Sequence, residues 1–534
     1  MTELPATTTQ YAKGKRNAFT RFLDGVEWLG NLLPHPVTLF ALLAVGIVLL
    51  SGLLGWLGVA VDDPRPAGSN GVAEDGMIRA VSLLNGDGVR RIFTGLVDNF
   101  TGFAPLGVVL VAMLGVGVAE KSGLLSAAVR AMVMNAPPKL VTFAIVFAGI
   151  ISNTASEVGY VVLIPLGGAV YYALGRHPLA GMAAAFAGVS GGYSANLLIG
   201  TIDPLLAGIT QEAAQLIDPD YTVLATANWY FMFASTFLIA GIGTLVSLYI
   251  VEPKLGEFDA SKAEPEILDD AMMQPITDTE RKGLRWAGLA LLGVLGLMAL
   301  TLVPDWGVLR NAETGDRMDS PFFDGFVVWI LIFFIAIGYA YGRAAGTMKT
   351  DRDVIDAMAA ALSSLGLYIV LVFFAAQFVA FFGWTNMGAI SAVTGANFLQ
   401  ETGMTGPALF FAFILICAII NLSLGSASAQ WAVTAPIFVP MLMLIGYSPE
   451  AIQAAYRIGD STTNVITPMM SYFGLILAWA TRYQKDLGVG TMIAMMLPYT
   501  IFFLTAWSLF FYLWTFVLGL PVGPGSPTYY TVPG

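Results

Sequence analysis

The sequence predicts an all-α integral membrane protein of nine transmembrane helices and two re-entrant helical hairpins, arranged as inverted repeats. Three observations lead there: long apolar blocks, shorter apolar pairs joined by polar tips, and an order of elements that recurs. The 534 residues are 57% hydrophobic and 11% charged, against about 25% charged in a soluble domain. Blocks such as Val37 to Val61 and Trp229 to Val251 exceed the ~18 apolar residues that read as a spanning helix. The net charge of -11 sits in loops, and nothing basic enough to bind nucleic acid is present.

Nine blocks can span, near 37–61, 103–119, 178–200, 229–251, 285–303, 323–342, 359–384, 450–482 and 490–519. Two short stretches, 122–135 and 387–399, read as interfacial or half-buried. The pairs 139–151 with 156–175, and 407–421 with 428–446, are too short to cross singly and read as hairpins. Their tips are Ser152-Asn153-Thr154-Ala155-Ser156 and Asn421 through Ser428. Irregular backbone at membrane depth is tolerated only where protein or a water-filled cavity surrounds it. Two further blocks are interrupted, at Ser190 through Asn196 and at Gly459 through Asn464 with Pro468 beyond. Glycine, proline and clustered hydroxyls there predict helices that unwind partway across.

The first 36 residues are expected to be cytoplasmic, residues 37–520 to form the transport domain, and 521–534 to form a periplasmic tail. The first block begins too late and runs too long for a cleaved signal peptide. Within the transport domain, repeat one covers about 95–251 and repeat two about 359–519, with 37–61, 285–303 and 323–342 as scaffold spans. With the N-terminus inside, 18 of the 25 Lys and Arg fall in cytoplasmic segments, six fall outside, and Arg457 lies in the membrane. That distribution predicts a cytoplasmic N-terminus and a periplasmic C-terminus. A shift of 271 residues carries Ser152 onto Ser423, Pro165 onto Pro436, Pro178 onto Pro449, Gly188 onto Gly459 and Ser190 onto Ser461. Tyr160 falls on Trp431. The implied arrangement is an inverted repeat, as in many alternating-access transporters.

Ionisable groups within a membrane are costly and usually functional. Glu157, Asp203, Arg457 and Asp460 are the candidates. Arg457 and Asp460 are three apart, so they share a helix face if the helix continues. They form either a self-neutralising ion pair, or a site in which Arg457 grips a substrate carboxylate with its planar fork and Asp460 serves the coupling ion. Asp203 is either a solvated helix cap or a site residue. Trp431 is either an interfacial belt residue or a stacking surface for an aromatic substrate. Ser152, Asn153 and Thr154 at one tip, Ser426 and Ser428 at the other, and Ser190, Asn196, Ser461 and Asn464 at the interruptions are candidate ion ligands. Polar tips are hard to justify as packing, since each unpaired buried group costs about 1–3 kcal/mol. The single cysteine, Cys417, permits no internal disulfide. His35 and His177 each precede a proline at a block edge and read as interfacial residues, not metal ligands. No metal is expected beyond Na+. Phosphate loops, catalytic triads and histidine metal clusters are absent from the sequence, so an enzyme is not expected.

The stretch from Asn421 to Pro468, with Ser428, Trp431, Pro449, Arg457 and Asp460 in order, resembles the aminobenzoyl-glutamate transporter (AbgT) family. The segment Gly191-Gly192-Tyr193-Ser194-Ala195-Asn196, leading to Asp203-Pro204, resembles the matching part of its first half. The resemblance covers about Asn17 to Leu520. It implies a bowl-shaped homodimer of the ion-transporter superfamily in the bacterial inner membrane. It implies, too, an ion-coupled carrier of p-aminobenzoyl-glutamate or an exporter of sulfonamide antimetabolites. The family's functional positions fall on Asp203, Asn421, Ser428, Trp431, Pro449, Arg457 and Asp460. The expected partners are the small-molecule substrate and membrane lipid, with Na+ or H+ as coupling ion and no other cofactor. Alternatives are a dicarboxylate carrier of the same superfamily, an ion channel, which would need a continuous polar pore, and an intramembrane enzyme, which would need a nucleophile and base.

Overall fold

The computed structural model describes residues 34–65, 73–155, 158–259, 261, 263 and 275–531. Most of the expected N-terminal segment, Ser156 of the first tip, the candidate Glu157 beside it, and the last three residues lie outside the described residues. Helix α1 (Pro36–Trp56) starts at a proline, where a missing N–H costs nothing. A two-stranded antiparallel ribbon follows, β1 (Ala60–Asp62) on β2 (Met77–Arg79), with Val61 opposite Ile78. Helices α2 (Gly86–Thr101), α3 (Ala104–Lys121) and α4 (Leu124–Met134) come next.

The first hairpin is α5 (Val141–Ser152), a tip with a 3-10 turn at Asn153–Ala155, a π-turn at Gly159–Leu163 and α6 (Ile164–Ala173). The first broken helix is α7 (Pro178–Phe186), loosened into a π-turn at Ala187–Gly191, then irregular chain to α8 (Ile202–Ala214). Helix α9 (Trp229–Val246) closes the repeat, and its helical path runs on to Leu255. Helices α10 (Asp278–Leu302), α11 (Phe326–Ala345), α12 (Asp351–Ser364) and α13 (Gly366–Trp384) lead to α14 (Met387–Glu401). The second hairpin is α15 (Leu409–Asn421) and α16 (Ala427–Met443). The second broken helix is α17 (Pro449–Thr463), irregular chain, then α18 (Phe473–Tyr483). Helix α19 (Val489–Tyr512) continues helically to Val517.

Among the described residues, seven helices are long and apolar enough to cross a membrane by length and composition. The other two expected spans are the broken helices. Their order repeats as the sequence shift requires: adding 271 to Pro178 gives Pro449, and both prolines open their helices. The close approaches repeat too. A Cβ on Gly188 would lie 2.3 Å from the Val146 carbonyl oxygen of α5, and one on Gly459 would lie 2.5 Å from the Ile414 carbonyl oxygen of α15. Each glycine lets a broken helix press against the first arm of its own hairpin, and a methyl group there would force the helices apart.

The helices sort into two bodies. In one, α10 packs on α11, α11 and α12 pack on α3, and α13 packs on α1. In the other, each hairpin packs on its broken helix, with α9 and α19 alongside. Helix α8 bridges them, touching α3 on one side and α16 on the other. The chain end is tied to the second body, since the Ser448 N–H donates to the Thr528 carbonyl (3.1 Å) and the Tyr530 N–H to that of Gly446 (2.9 Å).

One local expectation changes. The second helix does not unwind at Gly459–Asn464; it stays helical through Thr463 and breaks between Asn464 and Phe473. Gly459 is a packing residue, and the break falls around Pro468, which has no N–H to give and restricts the residue before it. Stretches 122–135 and 387–399, expected to be interfacial or half-buried, form helices α4 and α14. The two histidines have a local role, each imidazole Nδ1 accepting a backbone N–H two residues on, from Val37 and from Leu179, at 3.3 Å.

Candidate functional site

The two broken helices meet through their irregular segments. The backbone N–H of Ser194 donates to Ser461 Oγ at 3.1 Å, and Arg457 Nη2 donates to the Ser194 carbonyl at 3.3 Å. Arg457 Nη1 lies 2.6 Å from Asp203 Oδ1, with side chains only 2% and 11% exposed. The other Asp203 oxygen accepts the Gly200 N–H at 2.7 Å, in the first turn of α8, where the helix dipole favours an anion. Asp203 is therefore a buried ion-pair residue, not a solvated cap. Arg457 pairs with it and not with Asp460, which shares its helix. The pair ties repeat one to repeat two.

Asp460 is fully buried, and neither carboxylate oxygen has a hydrogen-bond partner among the described residues. It is not isolated in this. Nine buried side-chain nitrogen or oxygen atoms lack a partner among the described residues, and five belong here: Ser194 Oγ, Asn421 Oδ1, Arg457 Nε and both oxygens of Asp460. Each orphan costs about 1–3 kcal/mol, so a concentration of them at one junction needs an explanation other than packing. In formal charge Arg457, Asp203 and Asp460 also sum to one negative in a buried cluster, which a bound cation or a proton would neutralise.

The hairpin tips are fastened to the same junction. Asn153 Nδ2 donates to the Val189 carbonyl (2.9 Å), and Thr154 Oγ1 to Asn196 Oδ1 (2.8 Å). The Ser152 hydroxyl turns back to the Gly149 carbonyl (2.6 Å). Asn421 Nδ2 reaches the Asp460 carbonyl (2.6 Å) and Asn464 Oδ1 (2.8 Å). Ser426 Oγ caps α16 and lies 3.4 Å from Ser428 Oγ. Ser190 Oγ accepts from Tyr160 Oη at 3.3 Å.

A cavity of about 420 Å³ opens where the tips face the scaffold. Asn153, Ser426, Ser428 and Asn464 line it from the hairpin body, with Tyr160, Tyr193 and Tyr472; Tyr368 and Ser364 line it from α13 and α12. Of the sequence candidates, these four polar residues reach the wall. Asp203, Asn421, Trp431, Arg457 and Asp460 are buried and do not line it. Pro449 serves as the first residue of α17, far along the helix from Asp460. Trp431 is wholly buried, stacked on Tyr456 with centroids 4.2 Å apart, its indole N–H on Thr210 Oγ1 at 2.8 Å. Thr210 donates to Gln453, and Gln453 to Asn228 (2.8 Å). Sequence reading missed this relay and the cavity tyrosines 368 and 472. Only Tyr472, four residues past Pro468, sits near a feature that marked the site.

A family model described as "AbgT putative transporter family" matches residues 21–530. The p-aminobenzoyl-glutamate transport protein of Escherichia coli (strain K12) is 36% identical over 501 residues, covering 94% of this chain and 95% of that protein. The structure is similar to that of MtrF from Neisseria gonorrhoeae, described among a class of antimetabolite efflux pumps, with a TM-score of 0.89 and 60% identity over 95% of this chain and all of that one. It is similar also to the YdaH transporter of Alcanivorax borkumensis, with a TM-score of 0.84 and 46% identity over 92% of this chain and all of that one. With seven membrane-length helices among the described residues and these relatives, the chain is a multi-pass membrane protein and belongs to the AbgT transporter family.

Proposed function

We propose that the chain is a secondary active transporter of the bacterial inner membrane, moving p-aminobenzoyl-glutamate or related aromatic carboxylates, folate-pathway antimetabolites such as sulfonamides included. The observation that carries this is the orphaned polar cluster around Arg457 and Asp460, one charge short of neutral, behind a cavity lined by two hairpin tips. Arg457 is the cation for a substrate carboxylate. Asp460 and the oxygen-bearing tip residues serve the coupling ion, Na+ or H+. The names of the Escherichia coli and Neisseria gonorrhoeae relatives support the substrate class.

The transport cycle is of the elevator type. The two hairpins and broken helices move as a unit against the scaffold, and the cavity between the two bodies supports this reading. Each subunit has nine spans and two re-entrant hairpins, and two subunits form a homodimer through scaffold helices. Helices α1 and α10 support this, keeping most of their apolar surface free for lipid or a second copy. The N-terminus is cytoplasmic and the C-terminus periplasmic, as the 18-to-6 division of positive residues favours. Reporter fusions at the two ends should report opposite sides; the same side for both would overturn the nine-span topology.

Flux of labelled p-aminobenzoyl-glutamate in proteoliposomes, with Na+ and pH gradients imposed separately, tests the function. Flux is expected to follow one of the two gradients and to be competed by a sulfonamide. Flux indifferent to both gradients would remove the coupled-carrier reading.

A further inference from the structure

Sequence reading offers Trp431 as the surface for an aromatic ligand, yet both its burial and its stacking on Tyr456 close that surface. The 271-residue shift points to another aromatic. Tyr160 occupies the position in the first hairpin that Trp431 occupies in the second. It too is stacked, on Tyr472, with ring centroids 4.6 Å apart and planes 7° from parallel. Unlike the Trp431 pair, this pair lines the cavity.

The pair is built to hold still. Tyr160 Oη donates to Ser190 Oγ at 3.3 Å, and Ser190 Oγ donates to Met470 Sδ at 3.1 Å, two residues before Tyr472. One serine of the first broken helix thus anchors both the hairpin ring and the segment that bears the second ring. Tyr160 is 7% exposed, while Tyr472 is half-buried. The open side of the stack is therefore Tyr472's. Ser426 and Ser428 of the second tip and Asn464 of the second broken helix share the same cavity and suit an amide and carboxylates. A ligand that joins a benzene ring to an acidic amide matches a wall with those two parts.

We propose that Tyr472, backed by Tyr160, is the platform on which the substrate's aromatic ring lies, and that it sets the preference for aromatic over aliphatic acyl groups. The proposal rests on the functional reading above. A ring stacked on one face is worth about three- to tenfold in affinity.

The test uses the purified full-length protein, two ligands, p-aminobenzoyl-glutamate and N-hexanoyl-glutamate, and Tyr472→Leu and Tyr472→Phe. Wild type should bind the aromatic ligand more tightly. Tyr472→Leu should weaken it about three- to tenfold and leave the aliphatic ligand unchanged, while Tyr472→Phe keeps the preference. Tyr472→Met, which also removes the ring, gives the same reading if the leucine variant fails to fold. Equal losses for both ligands, or no loss for either, would overturn the platform alone. Wild type that binds neither ligand would overturn it together with the functional reading.

Discussion

Arg457→Ala is expected to abolish transport and to lower the melting temperature, and adding Asp203→Asn is expected to restore the stability but not the transport. The charges give the reason. Arg457, Asp203 and Asp460 sum to one negative charge in the wild type; the alanine variant leaves two. Removing one member of a buried ion pair costs about 3–5 kcal/mol, because the other charge stays buried and unpaired. The double variant returns the core to one negative charge, as in the wild type. If Arg457 only holds the two repeats together, transport should return with the stability. If it also holds the substrate carboxylate, as proposed, transport stays lost. Melting temperature and flux on the same preparations separate the two. Arg457→Lys sharpens the result. Lysine keeps the charge, but its single nitrogen cannot serve Asp203 Oδ1 and the Ser194 carbonyl from two arms of a planar fork. A fall in flux of about tenfold or more is expected, against little change if charge alone matters.

The same pair shows what could and could not be read from the sequence. The order of elements was legible because it is written in local chemistry. Pro178 and Pro449 begin helices, Gly188 and Gly459 permit close packing, and the hairpin arms are too short to cross alone. Arg457 and Asp460, both buried, were legible as candidate charges by their setting. Their partners were not. Spacing of three suggests a pair along one helix, but Asp203 from the other repeat reaches Arg457 first. Partner choice across 254 residues of sequence is decided by how two repeats dock, and no periodicity records that. The break at Asn464 was misplaced by the same logic, since Gly459 can mark either a loosened helix or a close contact. Trp431 carried a similar ambiguity. A tryptophan near a polar tip can face a ligand or fill the layer behind it, and only Thr210 and Tyr456 from elsewhere in the fold decide the matter.

The layering bears on how coupling would work. The cavity wall holds neutral oxygens and aromatic rings, while none of the three charged residues lines it. The Ser194 segment joins the layers. Its backbone meets Arg457 and Ser461, and Tyr193 beside it lines the cavity. Besides the proposed direct contact with Arg457, a ligand in the cavity can be felt by the charged residues through one short stretch of irregular chain, which is easier to displace than a helix because its backbone hydrogen bonds are few.

Asp460→Asn is expected to raise stability and abolish coupled transport, an opposition that a structural residue would not show. Both carboxylate oxygens are sealed from water and lack hydrogen-bond partners among the described residues, so the charge is a standing cost. Asparagine has the same shape and leaves Arg457 and Asp203 as a neutral pair. Relief of about 1–3 kcal/mol is expected, or about 1–3 °C in melting temperature for a chain of this length. Sites that bind ions or substrates commonly hold such strain, and removing it stabilises the fold at the expense of activity. The loss should be specific to coupling. With a Na+ gradient at fixed pH, and with a pH gradient at fixed Na+, the variant should accumulate no substrate, while exchange of substrate across the membrane without a gradient persists in part. Choline in place of Na+, at constant pH, identifies which ion the wild type uses. A variant that is less stable than wild type but still accumulates substrate would make Asp460 a packing residue and remove it from the site.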